Sequence, residues 1–460
     1  MSLIKSISGI RGTIGGLPGE NLTPLDVVKF TAAYGSLLKE KQPRPSVVVG
    51  RDGRISGPLV HSLVVQTLIA LGIDVIDLGV STTPTVEFAV VEEKATGGII
   101  LTASHNPRQW NALKLLNEQG EFLSAEAGKK VLEIGEKSQM YFASVDELGT
   151  VRSDETYLQK HIAAILNYPL VDAPAIAAAH FSVVVDAINS SGAIYVPALL
   201  NALGVQQVTV LNEALTGDFA HNPEPLPEHL TELSKAVVDQ QAHLGIAVDP
   251  DVDRLCFVNE DGSLFGEEYT LVAVADHILS NRPGNTVSNM SSTAALKVLT
   301  RQYGGDYHAA AVGEVNVVSK MKAVQAVIGG EGNGGVIVPD FHYGRDALIG
   351  IGLFLSHLAN HKKGIKSLRA TYPDYFISKN KIDLTPEINI DQLLAKVKAK
   401  YQAQPINEVD GLKIEFDKEW VHLRRSNTEA IIRIYSESQT AQAAQALAEK
   451  IINDIKEFIK

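Results

Sequence analysis

Cysteine is nearly absent from this chain. One residue in 460, Cys256, rules out an internal disulfide framework and fits a reducing compartment, so a cytoplasmic location is expected. Long hydrophobic runs are lacking too. The longest, around Ala347 to Leu358, falls well short of the roughly 20 residues a membrane span needs, and Met1 to Gly12 has no apolar signal core. No membrane partner is expected. Positive charge is in deficit, with 41 Lys and Arg against 53 Asp and Glu and a formal net charge of −12, which argues against a nucleic-acid surface. An acidic chain that binds phosphates must gather its cations locally. Fixed-period repeats and low-complexity tracts are missing, and nothing in the sequence signals subunit number.

What is present describes a globular protein: 45% hydrophobic and 20% charged residues, in a chain long enough for three or four domains. Thr23-Pro24-Leu25-Asp26 supplies an N-cap, a first-turn proline and an acid for a helix to about Lys39. Strand-like runs (Ser46 to Val49, Asp74 to Leu78, Gly98 to Leu101) then alternate with a helical run from Pro58 to Leu71, the pattern of a mainly parallel sheet. The alternation recurs from Phe181 to Val248. A hairpin over Cys256 to Phe265 opens a third unit, which ends in the strand Ala326 to Ile328. The final stretch differs: Lys413 to Phe416, Trp420 to Leu423 and Ile431 to Tyr435 read as antiparallel strands before a helix from about Thr440 to Ile459. The expected division is 1–150, 151–255, 256–368 and 369–460.

Four polar loops follow strand-like runs, where open α/β sheets bind ligands. In Thr102-Ala103-Ser104-His105-Asn106-Pro107, Ser104 is expected on a tight turn with its hydroxyl exposed. No G-x-S-x-G elbow surrounds it, which counts against a hydrolase triad. Taken alone, this loop is better described by a turn serine bonded to its own backbone. In Asp249-Pro250-Asp251-Val252-Asp253-Arg254, three alternating carboxylates can converge on one hard cation such as Mg²⁺. An EF-hand is disfavoured because Arg254 stands where that loop requires glycine; a solvated acidic turn is the plain alternative. Gly330-Glu331-Gly332-Asn333-Gly334-Gly335 offers a carboxylate and an amide on backbone that a ligand can approach closely, or simply a glycine-rich turn. Arg424, Ser426, Asn427, Thr428 and Arg433 carry the donors that a non-reacting phosphate wants, without Walker A spacing. Arg11, Lys114 and Arg254 are the cations available near the first two loops, or ordinary surface charges. Arg51 and Arg54 are placed to orient the serine loop, or to form surface ion pairs.

Together these residues resemble the α-D-phosphohexomutases over essentially the whole length. The resemblance implies Ser104 of the T-A-S-H-N-P loop as a phosphoserine that gives and takes the phosphoryl group. Asp249, Asp251 and Asp253 of the D-x-D-x-D-R loop are implied as Mg²⁺ ligands together with Ser104, with Arg254 on the reacting phosphate. Asn111-Ala112-Leu113-Lys114 is similar to the family's N-G-F-K, implying Lys114 in proton transfer, and His105 is a loop-stabilising or phosphate-contacting residue. The family's G-E-x-S-G-H loop implies Glu331 as sugar ligand, although Asn333 and Gly335 replace its serine and histidine. Arg424, Ser426, Asn427, Thr428 and Arg433 are implied as a phosphate cradle, with Arg11 as a further substrate contact. The implied fold is three related α/β domains with mixed, mainly parallel sheets plus a smaller α+β C-terminal domain around a central cleft. The implied activity moves a phosphoryl group between carbons 6 and 1 of a hexose phosphate, with Mg²⁺ and a bisphosphosugar activator. Glucosamine 6-phosphate is the favoured substrate, with Glu314 as candidate acceptor for its amine. A broad phosphoglucomutase/phosphomannomutase, a magnesium phosphohydrolase and a non-catalytic phosphosugar-binding protein are the alternatives.

Overall fold

The computed structural model describes residues 2–6, 9–137, 140–383, 389–425 and 431–459. They form two compact units: Met1–His277 with Asn333–Arg369, and Ile278–Gly332 with Ala370–Lys460.

The first unit is built on two mixed sheets. One has seven strands in the order Ile4–Ser6, Gly9–Thr13, Trp110–Leu116, Gly97–Leu101, Ser46–Arg51, Asp74–Val80, Val151–Ser153. The last four are mutually parallel, and the first three join in antiparallel fashion. Val47, Val48 and Val49 are all buried, so successive side chains on opposite faces both enter packed layers, as a parallel strand covered on both sides requires. The flanking helix Pro24–Lys39 starts on the capping box read from the sequence, Thr23 with Asp26. The second sheet runs Leu255–Val258, Leu244–Val248, Ser182–Asp186, Gln207–Leu211. Leu255–Val258 pairs antiparallel with Leu244–Val248, with Val248 opposite Leu255, so it completes the aspartate-loop sheet. That corrects its reading as the opening of a third unit. The turn between these strands is only Asp249–Arg254, too short for anything but an antiparallel return.

The second unit carries a parallel trio ordered Tyr307–Ala310, Thr286–Asn289, Ile328–Glu331, with helices Ala295–Gln302 and Glu314–Val324. The last strand starts two residues later than the sequence suggests. Gln325 ends the preceding helix in a left-handed conformation (φ 50°), and Ala326 N–H closes back on the Met321 carbonyl, so Ala326 still belongs to the helix cap. The C-terminal segment forms a five-stranded antiparallel sheet ordered Phe376–Asp383, Ile431–Ser438, Trp420–Arg425, Leu412–Glu415, Ile406–Asn407. Its apolar face packs under helices Ile390–Lys400 and Ala441–Ile459 through Val397, Ile414, Val421, Ile434 and Ile451. Among the described residues no helix is long and apolar enough to cross a membrane.

Candidate active site

Strand Gly97–Leu101 delivers the serine loop and strand Leu244–Val248 the aspartate loop, and within the first unit the two meet. Ser104 Oγ donates to Asp249 Oδ2 at 2.7 Å. Its side chain is therefore buried, not exposed as the turn chemistry suggested: Ser104 is 8% accessible. A left-handed backbone (φ 49°) aims the side chain at a carboxylate that the local sequence does not reveal. The loop is held from below. Arg54, wholly buried, pairs with Asp52 at 3.0 Å and donates to the carbonyls of Ser104, Asn106 (2.7 Å), Pro107 and Trp110 (2.9 Å each). Thr102 Oγ1 accepts from Ser104 N–H at 2.9 Å and donates to Asp52 at 2.6 Å. Of the two arginines read as possible loop supports, Arg54 makes these contacts, while Arg51 bonds the Asp52 carbonyl.

The aspartate loop is a folded turn whose three carboxylates are fully buried. Asp249 Oδ1 accepts from the N–H groups of Asp253 and Arg254, both at 3.1 Å. Val252 sits at φ 60°, an uncommon conformation for a β-branched residue, and its N–H bonds Asp249 O. Four residues hold this strained turn. Ser190 and Ser191 hydroxyls both reach Pro250 O at 2.7 Å; Thr83 gives its N–H to Asp251 O (2.9 Å) and its hydroxyl to Asp251 Oδ2 (2.5 Å); Ala347 N–H bonds Val252 O at 3.2 Å.

Cations surround the carboxylates. Lys114 Nζ lies 2.7 Å from Asp251 and 3.3 Å from Asp253, Arg345 Nη2 2.7 Å from Asp253, and Arg254 Nε 4.0 Å from Asp249 while its Nη1 bonds Glu224 at 3.1 Å. Against the effect of burial, Arg345, Lys114 and Arg254 hold Asp253 well below the usual carboxylate range. Asp249 goes the other way: burial and then the charges of Asp253 and Asp251 push it well above that range. Lys114 stays firmly protonated, because Asp251 and Asp253 more than offset its burial. His105 is neutral, its pKa pushed well down by burial and by Arg254, Arg11 and Arg345 around it. Arg11 Nη1 reaches Asn106 Oδ1 at 3.5 Å. His105 of the serine loop thus has three arginines acting on it in an otherwise acidic protein.

Sequence reasoning missed Arg345 and Thr83. Arg345 carried a usable signal, since Gly344-Arg345-Asp346 is a polar break directly before the apolar run from Ala347, where a helix N-terminus presents side chains. Thr83 carried none; only the tertiary fold brings it to Asp251.

In the second unit Glu331 is buried at the end of its strand, and its Oε1 accepts from Asn289 Nδ2 (2.8 Å) and Gly313 N–H (3.1 Å). Glu314 is buried one residue on, in the first turn of its helix, where the helix dipole favours an anion. Asn333 belongs to the first unit and closes its own turn by accepting from Gly335 N–H at 3.2 Å. Gly334 has φ 86°, and a Cβ there would sit 2.3 Å from the Leu255 carbonyl, so this glycine is required by close backbone packing.

Of the residues expected to hold the non-reacting phosphate, Arg424 and Arg433 lie on the C-terminal sheet. Arg424 and Arg433 are register partners on adjacent strands, and Lys381 is the partner of Arg433 on the next. Three cations therefore share one row on one face, a repulsive arrangement that an anion relieves. Arg424 Nε lies 3.5 Å from Asp410. Lys381 was not anticipated, because its membership depends on strand register across some fifty residues of sequence. Ser426, Asn427 and Thr428 lie outside the described residues.

Four phosphoglucomutase/phosphomannomutase domain models match in order along the chain: α/β/α domain I over residues 3–142, domain II over 159–262, domain III over 266–375 and the C-terminal domain over 383–454. The chain belongs to the phosphoglucomutase/phosphomannomutase family. It is 36% identical over 98% of its length, and 99% of the relative's, to a phosphoglucomutase/phosphomannomutase of Thermococcus kodakarensis. It is 32% identical, over 98% of both chains, to a probable phosphoglucosamine mutase of Methanopyrus kandleri. A crystal structure of a family protein from Burkholderia thailandensis shares the fold, with a TM-score of 0.85 at 24% identity and coverage of 99% of this chain and 97% of that one. The family architecture of three mixed-sheet α/β domains and a smaller antiparallel C-terminal domain is therefore that of this chain, and phosphohexomutases are isomerases that use Mg²⁺ and a phosphoserine. The aspartate loop fits such an ion. Its three ligand oxygens lie within 4.8 Å of one another, and Asp251 Oδ1 and Asp253 Oδ1 are buried with no hydrogen-bond partner.

Proposed function

We propose that this phosphohexomutase converts glucosamine 6-phosphate to glucosamine 1-phosphate, with Ser104 as the residue that carries the phosphoryl group. The observation that carries the reading is the convergence of Ser104 Oγ on Asp249, 2.7 Å away, inside a buried triad of aspartates ringed by Lys114, Arg254 and Arg345. Asp249, Asp251 and Asp253 would hold Mg²⁺, which when bound supplies neutralisation of charge on a phosphoryl oxygen. The remaining work falls to side chains. Arg54 and Thr102 fix the serine loop, so Ser104 Oγ is positioned before substrate arrives. Arg254 and Arg11 are assigned to the transferring group, where fixed positive charge matters most, and the neutral His105 to a hydrogen bond with it. Lys114 enters as an ammonium, so it can give a proton to the leaving oxygen and, once neutral, take the proton of the attacking hydroxyl, which returns the lysine to its starting state.

The reaction needs the sugar in both orientations. Phosphorylated Ser104 gives its group to the free hydroxyl of the hexose monophosphate, the resulting bisphosphate turns over, and its other phosphate returns to Ser104. A bisphosphosugar activator would restore the phosphorylated serine. Glu331 is assigned to sugar hydroxyls, and Arg424, Arg433, Ser426, Asn427 and Thr428 to the phosphate that does not react; Asn333, occupied with its own turn, is assigned to loop shape and a weaker sugar contact. The functional division follows the loops: serine, metal and sugar-binding domains expected over 1–150, 151–255 and 256–368, with the second boundary moved past Val258 so that the aspartate-loop sheet stays whole, and a phosphate-binding domain over 369–460, in a cytoplasmic enzyme.

Substrate choice rests on the buried carboxylate of Glu314 beside Glu331, an acceptor suited to an ammonium at carbon 2, since buried polar matches discriminate strongly. The second reading, a broad phosphoglucomutase/phosphomannomutase, is favoured by the name of the 36% identical relative. Measuring kcat/KM for glucosamine 6-phosphate, glucose 1-phosphate and mannose 1-phosphate side by side separates them. Preference for the amino sugar supports the first; equal or better turnover of the neutral sugars supports the second and removes Glu314 as a specificity residue.

A further inference from the structure

A second cluster of metal-ligating atoms lies in the first unit, apart from the aspartate loop. His161 Nε2 and His342 Nε2 each lie 3.1 Å from the same oxygen, Asp346 Oδ2, and the three side chains are 0%, 7% and 1% exposed. We infer that His161, His342 and Asp346 supply three of the four ligands of a buried structural site for a zinc-class divalent ion.

Three observations carry this. The first is spacing: bonds of about 2.0 Å in a tetrahedron put ligand atoms roughly 3.3 Å apart, and both nitrogen-to-oxygen separations here are close to that edge. The second is what faces the other ring nitrogens. His161 Nδ1 lies 2.9 Å from Thr85 Oγ1, and His342 Nδ1 lies 3.6 Å from Glu87 Oε2. Ligating imidazoles use one nitrogen on the metal and donate the other N–H to an oxygen; His161 has that oxygen in Thr85, while His342 Nδ1 is buried near Glu87 without a hydrogen bond. The third is charge. Asp346 is buried against both imidazoles, and a dication held by the three side chains has the sign to compensate its charge. The donor set, two imidazoles and one carboxylate, suits zinc or its neighbours, whereas Mg²⁺ prefers all-oxygen ligands and keeps its waters.

The setting indicates a structural role. His161 is on helix Tyr157–Leu166, Thr85 on helix Thr83–Glu92, and Asp346 caps helix Ala347–His361 through the N–H groups of Leu348 and Ile349. The His161 ring is stacked against Phe88 and Phe341, centroids 5.2 and 5.5 Å away, so its orientation is fixed and its surroundings are dry. Two of the three helices also hold the aspartate loop, through Thr83 to Asp251 and Ala347 to Val252. An ion here would tie together the supports of the proposed magnesium loop without touching substrate.

The test is elemental analysis of untagged full-length protein after gel filtration in zinc-free, Mg²⁺-containing buffer, followed by Co²⁺ titration of chelator-treated protein. The inference expects stoichiometric zinc, intense visible absorption from tetrahedral Co²⁺, and a lower Tm after chelation that Zn²⁺ restores and Mg²⁺ does not. Asp251→Asn should keep the zinc, whereas His342→Gln, which preserves a polar amide at the rim, should lose both zinc and the Co²⁺ spectrum. Substoichiometric zinc in the wild type together with a featureless Co²⁺ titration would overturn it, leaving two imidazoles hydrogen-bonded to one carboxylate. So would a Co²⁺ spectrum lost in Asp251→Asn and retained in His342→Gln.

Discussion

The serine and aspartate loops of the first unit and the cationic row of the second, both proposed to meet a phosphate, are built in opposite ways. In the first, the three aspartates and Arg54 are withdrawn from water, and the turn that carries the aspartates is strained at Val252. In the second, Lys381 is exposed and Arg424 and Arg433 are half-buried on the face of an antiparallel sheet, aligned by strand register. Chemistry at a developing charge needs donors fixed beforehand in a dry setting. Holding a phosphate that does not react needs only positive charge in the right place, which a solvated sheet face provides.

The sharpest way to break the comparison is Ser104→Ala. It should remove turnover by on the order of 10⁴-fold or more while circular dichroism and Tm stay near wild type, since only one hydroxyl is lost. Near-normal activity would sink the assignment of Ser104. Arg54→Met should be the most destabilising of these changes, by about 3–5 kcal/mol, because Asp52 is left buried and unpaired and four carbonyls lose a donor. Denaturant unfolding measures it, and a loss below about 1 kcal/mol would mean that the serine loop has other support.

These two outcomes bear on how far the sequence could be read. The loops announced themselves because glycine, proline and alternating acids at strand ends are local signals, and the alternation of strand and helix marked the α/β sheets. Ser104 looked exposed because its neighbours describe a turn, whereas its burial is decided by Asp249, 145 residues away. Leu255–Val258 was assigned forward because a hairpin signal followed it, while its ladder partner lay behind it. Lys381 and Arg345 were invisible or faint for a related reason: register and helix-end geometry place them, not composition.

A subtler contrast concerns protons. Asp249, raised by burial and by its two acidic neighbours, takes up a proton more readily folded than unfolded. The folded apo protein therefore loses stability as pH rises from the unfolded value of about 4 towards the folded one, and Mg²⁺ should restore it. The Tm increase given by Mg²⁺ should be larger at neutral than at acidic pH, and the apparent Mg²⁺ affinity should fall about tenfold per pH unit where Asp249 titrates. A pH-independent Mg²⁺ affinity would show that Asp249 is not a ligand. Nothing comparable is expected of the cationic row. Arg424→Ala should raise KM roughly 10- to 100-fold with less change in kcat, the pattern of lost binding. Lys381→Ala, being exposed, should change KM by only a few-fold, and the effect should fade at high salt. Equal effects from these two variants would mean that exposure does not grade the row.

The central claim is that Ser104 itself carries the phosphoryl group. Incubating the protein with Mg²⁺ and a hexose 1,6-bisphosphate, then mapping phosphorylation by peptide mass spectrometry, addresses it directly. The account predicts one added phosphoryl group, on Ser104, that disappears on exposure to excess hexose monophosphate and never forms in Ser104→Ala. Full turnover with Ser104 unmodified, or a phosphoryl group that transfers to sugar from another residue, would contradict it.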